Sequence, residues 1–177
     1  PAALLDTYEA ERRPDVAAAT RLAIAWGSVL QTRRPRLARW RDAVLFALDA
    51  TPLADRLRRV ARARPPLRRG ALLLPRQAGV GSVFPQPRLA SGARLDDVLG
   101  NGWAVLGAVS EEERAAWSAA GVPLPGVADA VGEIAAWLRR HRADWVALRP
   151  DRVVFASGRA GEGVRAARAV AAWLGRA

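Results

Sequence analysis

The sequence predicts an α/β architecture, a compact unit of strands and helices with a purely helical segment in front of it, and three stretches carry that reading. Residues 144–156, Asp-Trp-Val-Ala-Leu-Arg-Pro-Asp-Arg-Val-Val-Phe-Ala, are two short apolar runs on either side of Pro150 and Asp151. Proline presets φ at the first central position of a turn and aspartate tolerates the second, so this stretch reads as a β-hairpin. Residues 102–109, Gly-Trp-Ala-Val-Leu-Gly-Ala-Val, form an apolar run of buried-strand length. Helical spacing flanks the hairpin, with Ile134, Trp137, Leu138 and His141 before it and Val164, Ala167, Val170, Ala171 and Leu174 after it. Strands between helices must bury their apolar faces against them.

From the start of the chain, Leu4, Leu5 and Tyr8 share one face of a short amphipathic helix that runs to Pro14. Proline costs about 3 kcal/mol inside a helix but suits a first turn, so a second helix is expected from Pro14 to about Leu30, with Val16, Ala19, Ala23, Trp26 and Leu30 on its apolar side. Leu37, Trp40, Val44 and Leu48 mark a third helix, ended by Thr51 and Pro52, and Leu53, Leu57 and Val60 a shorter, very basic fourth. Arg64, Pro65 and Pro66 break the helical pattern, and residues 65–94 read as an extended connector rich in proline and glycine. Its core, Gly79-Val80-Gly81-Ser82-Val83-Phe84-Pro85-Gln86-Pro87, lacks the Lys-Ser/Thr of a phosphate-binding loop.

The apolar run 102–109 is expected to be a central strand, with Ala104, Leu106 and Ala108 facing one helix layer and Val105, Gly107 and Val109 the other. Ser110 and Glu113 form a capping box at the start of the next helix, where Glu111, Glu112 and Glu113 favour the positive end of the dipole, and Gly121 ends it. Residues 122–127, with two prolines, are expected to form a short edge strand. A helix from about Val131 to Arg142 ends in Arg139, Arg140, His141 and Arg142, positive charge at its negative end. The expected boundaries are 1–64 helical, 65–94 connector, and 95–177 a domain of order β-α-β-α-β-β-α.

Composition limits the chemistry. The 177 residues contain no cysteine and one histidine, which excludes disulfides, thiolate metal sites and dithiol redox chemistry. The formal net charge is +11, yet all 28 basic residues are arginine. With two isoleucines and one asparagine, that is the bias of a GC-rich coding sequence. The charge is uneven: between Arg33 and Arg69 stand 12 arginines against Asp42, Asp49 and Asp55, a net of +9. No apolar run reaches the roughly 18 to 20 residues that span a bilayer, and no secretory pattern opens the chain, so a cytoplasmic location and no membrane partner are expected. The chain starts at Pro1 and has no methionine, which suits a processed start or a piece of something longer.

Four strings then point to one family. Leu4-Leu5-Asp6-Thr7-Tyr8-Glu9-Ala10-Glu11-Arg12-Arg13-Pro14 resembles the Leu-Leu-Asp-x-Tyr-x-x-Glu-Arg-x-Pro segment that closes the flavin domain of class A FAD-dependent aromatic hydroxylases. The Gly81 to Pro87 string (Gly-x-x-Phe-Pro-Gln-Pro), Leu95-Asp96-Asp97-Val98-Leu99-Gly100, and Arg149-Pro150-Asp151-Arg152 follow in order. Together they resemble the C-terminal region of the 3-(3-hydroxyphenyl)propionate hydroxylase group and cover almost the whole chain. The element order is that of the thioredoxin fold and resembles the C-terminal domain many of these hydroxylases carry. Where an active thioredoxin has its cysteine pair, this chain has Val109-Ser110-Glu111-Glu112, so the domain is expected to be redox-inactive and structural or oligomerising.

The resemblance implies a parent that uses NAD(P)H to reduce FAD and hydroxylates a phenolic ring. The family's Gly-x-Gly-x-x-Gly turn, Asp-Gly pair and Gly-Asp motif are all missing from this sequence. The glycines at 158, 161 and 163 have the wrong spacing for a dinucleotide fingerprint. No catalytic, cofactor-binding or metal residue is therefore assigned, no cofactor is expected on this chain alone, and the partners implied are the flavin-binding portion and a second copy as a homodimer. His141 reads as a packed histidine, the three glutamates as a cap, and the seven tryptophans (26, 40, 103, 117, 137, 145 and 173) mostly as core. The alternative is a free-standing basic module that contacts nucleic acid or an acidic protein between Arg33 and Arg69. Nucleic acid is disfavoured because base-stacking aromatics are not interleaved there.

Overall fold

The computed structural model describes residues 2–62, 66–67, 73–74 and 77–175, and the side chains of 2–8, 10, 15 and 59–62 fall outside the description. The described residues form seven helices and three strands, and the chain divides into two compact units, Pro1–Pro65 and Pro66–Ala177.

The first unit is helical: α1 (Ala2–Leu30), α2 (Pro35–Asp49) and α3 (Pro52–Arg62). The break expected at Pro14 does not occur, because α1 runs through it. Pro14 already has a helical φ and removes one backbone donor, and the turn before it carries an i,i+4 ion pair between Glu9 and Arg13 at 3.7 Å. The faces expected at Leu4, Leu5, Tyr8 and Val60 lie outside the described side chains. Pro35 opens α2 in the first turn, where its missing N–H costs nothing. Arg41 of α2 donates to the carbonyl of Leu30 at 2.6 Å, placing positive charge on the C-terminal end of α1.

In the second unit, β1 (Ala104–Gly107), β2 (Trp145–Leu148) and β3 (Val154–Gly158) make a three-stranded antiparallel sheet in the order β1-β2-β3. The hairpin forms as its turn chemistry predicts. The Arg152 N–H donates to the Arg149 carbonyl at 3.0 Å around Pro150 and Asp151, and that of Arg149 to the Val153 carbonyl at 3.0 Å. Alternation puts Val146 and Leu148 on one face and Trp145 and Ala147 on the other, and a bulge opposite Ala147 and Leu148 turns Phe155 and Ala156 to that second face together.

Two expectations for this sheet are corrected. Residues 122–127 form no strand, since Pro123 and Pro125 cannot donate to a ladder; all that survives is one bond from the Val105 N–H to the Pro123 carbonyl at 3.0 Å. The run 102–109 is not central: β1 is an edge strand and β2 takes the middle. Its two-faced burial holds for Ala104 and Leu106 against one layer and Val105 against the other, while Gly107 and Ala108 are exposed. Gly107 has φ +101°, and a Cβ there would stand 2.3 Å from the Asp144 carbonyl, so strand geometry ends where the backbones close up.

The helices cover both faces. α4 (Leu95–Leu99) and α6 (Glu133–His141) contribute Leu95, Leu99, Ile134 and Trp137 to the layer under Leu106, Val146 and Val154. Helices α5 (Glu111–Ala119) and α7 (Val164–Trp173) bring Trp117, Ala166, Ala167 and Val170 against Trp145 and Phe155. Burying side chains of this size contributes about 1.5–3 kcal/mol each, so the two layers hold the sheet between them. Trp117 Nε1 is buried without an acceptor among the described residues. The stretch 77–94 packs with this unit. Gly81 and Phe84 donate to Val154 and Arg152 of the hairpin, each at 2.9 Å, and Phe84 and Leu89 sit in the first layer.

Candidate functional site

The helical unit exposes many large apolar side chains. Helix α2 buries none of its residues. Trp40 is 74% exposed, Phe46 83% and Ile24 66%, and Leu37, Leu30, Leu53 and Leu57 are each about half exposed. Apolar side chains on all three helices of this unit therefore stay uncovered in the structure. Helical spacing in the sequence marks Leu30, Leu37, Trp40, Val44, Leu53 and Leu57 as apolar positions, and in the structure Leu37, Trp40 and Val44 are open to solvent.

The same unit carries exposed arginines. Arg58 pairs with Asp49 at 2.5 Å and Asp55 at 3.3 Å, and those bonds, Asp49's first, hold its guanidinium above the ordinary value. Arg41 is taken up by Asp42 at 2.6 Å. Arg33, Arg34, Arg36 and Arg39 are exposed with no acidic partner among the described residues; Arg64, Arg68 and Arg69 lie outside them. A shallow groove also runs along α1, lined by Thr20, Ala23, Ile24, Gly27, Ser28 and Gln31.

In the second unit, His141, Ser110 and Glu113 have defined partners within the fold. His141 stacks on Trp137 with ring centroids 4.1 Å apart, and its Nδ1 lies 2.9 Å from the Trp137 carbonyl. Ser110 and Glu113 close the capping box: the Ser110 N–H donates to Glu113 Oε2 at 2.6 Å and the Glu113 N–H to Ser110 Oγ at 3.3 Å. Glu113 is also fully buried and accepts from the Gly163 N–H, a partner 50 residues away that no local pattern announces. Of the tryptophans, Trp117, Trp137 and Trp145 are buried as expected, whereas Trp26 and Trp40 are exposed. Among the described residues no His, Asp or Glu group could hold a metal ion, and no helix is long and apolar enough to cross a membrane.

The HcaD C-terminal domain family matches residues 119–173. The 3-(3-hydroxy-phenyl)propionate/3-hydroxycinnamic acid hydroxylase of Mycolicibacterium gilvum is 31% identical over 87% of this chain and 33% of its own length. A probable NADH-specific resorcinol 4-hydroxylase of Rhodococcus jostii is 32% identical over 90% of this chain and 32% of its own length. Among solved structures, the rebeccamycin biosynthetic enzyme variant RebC-10x with bound 7-carboxy-K252c covers 96% of this chain and 36% of its own, with TM-score 0.62 and 25% identity. The anhydrotetracycline hydroxylase OxyS of Streptomyces rimosus shares the fold, with TM-score 0.57 and 24% identity over 92% of this chain and 33% of its own. The chain spans about a third of the length of these relatives and aligns with their C-terminal part. Its two units, the four sequence strings and these likenesses agree: the chain belongs to the C-terminal portion of the class A FAD-dependent aromatic hydroxylases, within which residues 119–173 form an HcaD C-terminal domain.

Proposed function

We propose that the chain serves as the C-terminal part of an FAD-dependent, NAD(P)H-using monooxygenase of phenolic rings, and that its second unit is a thioredoxin-like domain without redox chemistry, acting as a structural or oligomerising module. The observation that carries this reading is identity above 30% to two aromatic hydroxylases along nearly the whole chain. The open apolar face of α1 and α2 supports it, being the kind of surface that a flavin-binding portion would cover. The thioredoxin reading is supported by the two helix layers and by the single Val105 to Pro123 bond, which falls where a fourth strand would pair. FAD, when bound to such a parent, supplies the oxygen-transferring chemistry; this chain's part is to complete and brace the protein around it.

The test is flavin content and turnover. Purified alone, the chain is expected to be colourless, to retain no FAD and to leave NAD(P)H unoxidised with a phenol present. Fused behind the N-terminal two-thirds of the M. gilvum hydroxylase, it is expected to restore flavin binding that the truncated hydroxylase lacks. A stoichiometric yellow flavin on the chain alone would overturn the reading.

A second outcome follows from the exposed face. Alone, the chain is expected to form dimers or larger species through its helical unit, seen by light scattering and by binding of an apolar dye. A monodisperse monomer that binds no dye would show that face to be covered in solution. Arg33, Arg34, Arg36 and Arg39, exposed and without an acidic partner among the described residues, favour one rival, a basic module for nucleic acid. That reading predicts DNA binding that weakens steeply with salt, and salt-independent or absent binding removes it.

A further inference from the structure

The glycines of the segment 158–163, which fit no dinucleotide fingerprint, have a different use in the fold. A Cβ on Gly158 would stand 3.1 Å from the Trp145 indole, and one on Gly163 would stand 2.7 Å from Glu113 Oε1 and 3.2 Å from the same indole. The loop backbone therefore lies directly on Trp145, which is fully buried. Trp145 Nε1 donates to the Arg159 carbonyl at 2.8 Å, so the ring is both covered and held by the loop.

The loop is fixed by carboxylates. Asp144 accepts from Arg159 Nη1 and from the Ala160 N–H, each at 3.1 Å, and Glu162 accepts from the Arg159 N–H at 2.9 Å. Those acids are at or near the surface, where such contacts hold little. Glu113 is fully buried, and it comes from another helix. Its Oε2 closes the capping box of α5, and its Oε1 takes the N–H of Gly163, the N-cap of α7, which has no side-chain cap of its own. One carboxylate thus caps two helices and faces the positive ends of both dipoles.

We propose that residues 158–163 are a lid over Trp145 and that Glu113 is its latch, so that losing this one carboxylate frees the loop and the first turn of α7 while the sheet stays folded. The inference goes beyond the function proposed above and does not depend on it. When the lid opens, the Trp145 indole and the N-terminus of α7 become accessible, while the layer formed by α4 and α6 on the opposite face keeps the strands in place. This makes the α5/α7 side the part of the domain able to change conformation locally.

The latch has a defined pH dependence. Burial alone would raise the carboxyl of Glu113, but the N–H groups of Gly161, Ser110 and Gly163 and the Ser110 hydroxyl outweigh it and hold the group below its ordinary value. A depressed folded-state value means that the latch is fully set above the unfolded value of about 4.3 and is lost as pH falls through the lower folded value. The other ionisable groups on the elements around it are Glu111, Glu112 and Arg114 on α5, Asp144 before β2, Arg159 and Glu162 in the loop, and Arg165 and Arg168 on α7. Asp144 and Glu162 hold the loop too, and their bonds to Arg159 and Ala160 persist when Glu113 is replaced, which separates their share from its own.

Amide hydrogen exchange of the full chain tests the proposal. Glu113→Gln keeps the size of the side chain but has one acceptor oxygen where the carboxylate uses two. At pH 7 it is expected to speed exchange about tenfold or more in residues 158–168, with strands 104–107 and 145–148 within about twofold of wild type. Gly163→Ala leaves the carboxylate intact but pushes it away, and is expected to open the same residues. Normalised for intrinsic rates, the gap between wild type and Glu113→Gln should hold above about pH 4.3 and narrow as the pH falls below it. Unchanged exchange at 158–168 in both variants overturns the latch, and so does equal acceleration of the strands or loss of the whole sheet, since Glu113 would then be a general support.

Discussion

Leu106→Asp is expected to destabilise the second unit by upwards of about 4 kcal/mol, enough to unfold it or nearly so. Leu106 is 1% exposed, sits in β1 opposite Val146 of β2, and is packed in the layer of Phe84, Leu95, Leu99 and Trp137. A carboxylate there has no donor to receive, and burying it unpaired costs several times what the leucine's own burial contributes. Glu112→Asp, on the exposed first turn of α5, should be nearly silent and serves as the control. The measurement is chemical denaturation of the full chain. A shorter piece starting at Leu95 would lack Phe84, which belongs to this core and whose N–H donates to the Arg152 carbonyl. An unchanged midpoint for Leu106→Asp would dismiss the layered sheet.

Arg152→Ala is the second large effect, expected to cost about 3 kcal/mol. Arg152 is 7% exposed in the hairpin turn. Its Nε donates to Asp96 Oδ1 at 2.6 Å, its Nη1 to the Gly102 carbonyl at 3.2 Å and its Nη2 to the Gly100 carbonyl, so one side chain ties the turn to α4 and the loop after it. Breaking a buried pair costs roughly 3–5 kcal/mol. The lower end applies because the Asp96 side chain is 36% exposed and water can replace part of what it loses. Arg152 also has φ +62°, a left-handed conformation that costs a residue with a Cβ about 1–2 kcal/mol. Arg152→Gly removes the same guanidinium but suits that backbone, so it should be about 1 kcal/mol less damaging than alanine. If glycine and alanine prove equally harmful, backbone strain is no part of the site; if both are silent, the tie to α4 contributes nothing.

Both residues show how far the sequence could be read. Leu106 was legible as a buried position because alternation along a strand is a local property of the chain. Arg152 was legible as part of a turn and of a family string, but its partners Asp96 and Gly100 lie more than 50 residues earlier. The capping box at Ser110 and Glu113 was visible at its i,i+3 spacing. The same Glu113 carboxylate's bond to Gly163 was not, because glycine has no side-chain signal and its use depends on which backbone comes to lie beside it.

By itself, then, the sequence determined what short-range chemistry controls: the helix-forming runs, the Pro150-Asp151 turn, the capping box, the absence of thiol chemistry, and the four strings that mark the aromatic hydroxylase family. Tertiary structure decided the rest. It kept α1 continuous through Pro14, where the local cost of a proline had predicted two helices. It denied residues 122–127 a strand, because two missing donors cannot sustain a ladder, and it moved β1 to the edge, since strand order is set by which long-range pairs close. It also left the apolar residues of α2 exposed. Periodicity specifies that a helix has an apolar face, but whether that face is covered depends on a surface that the periodicity does not contain.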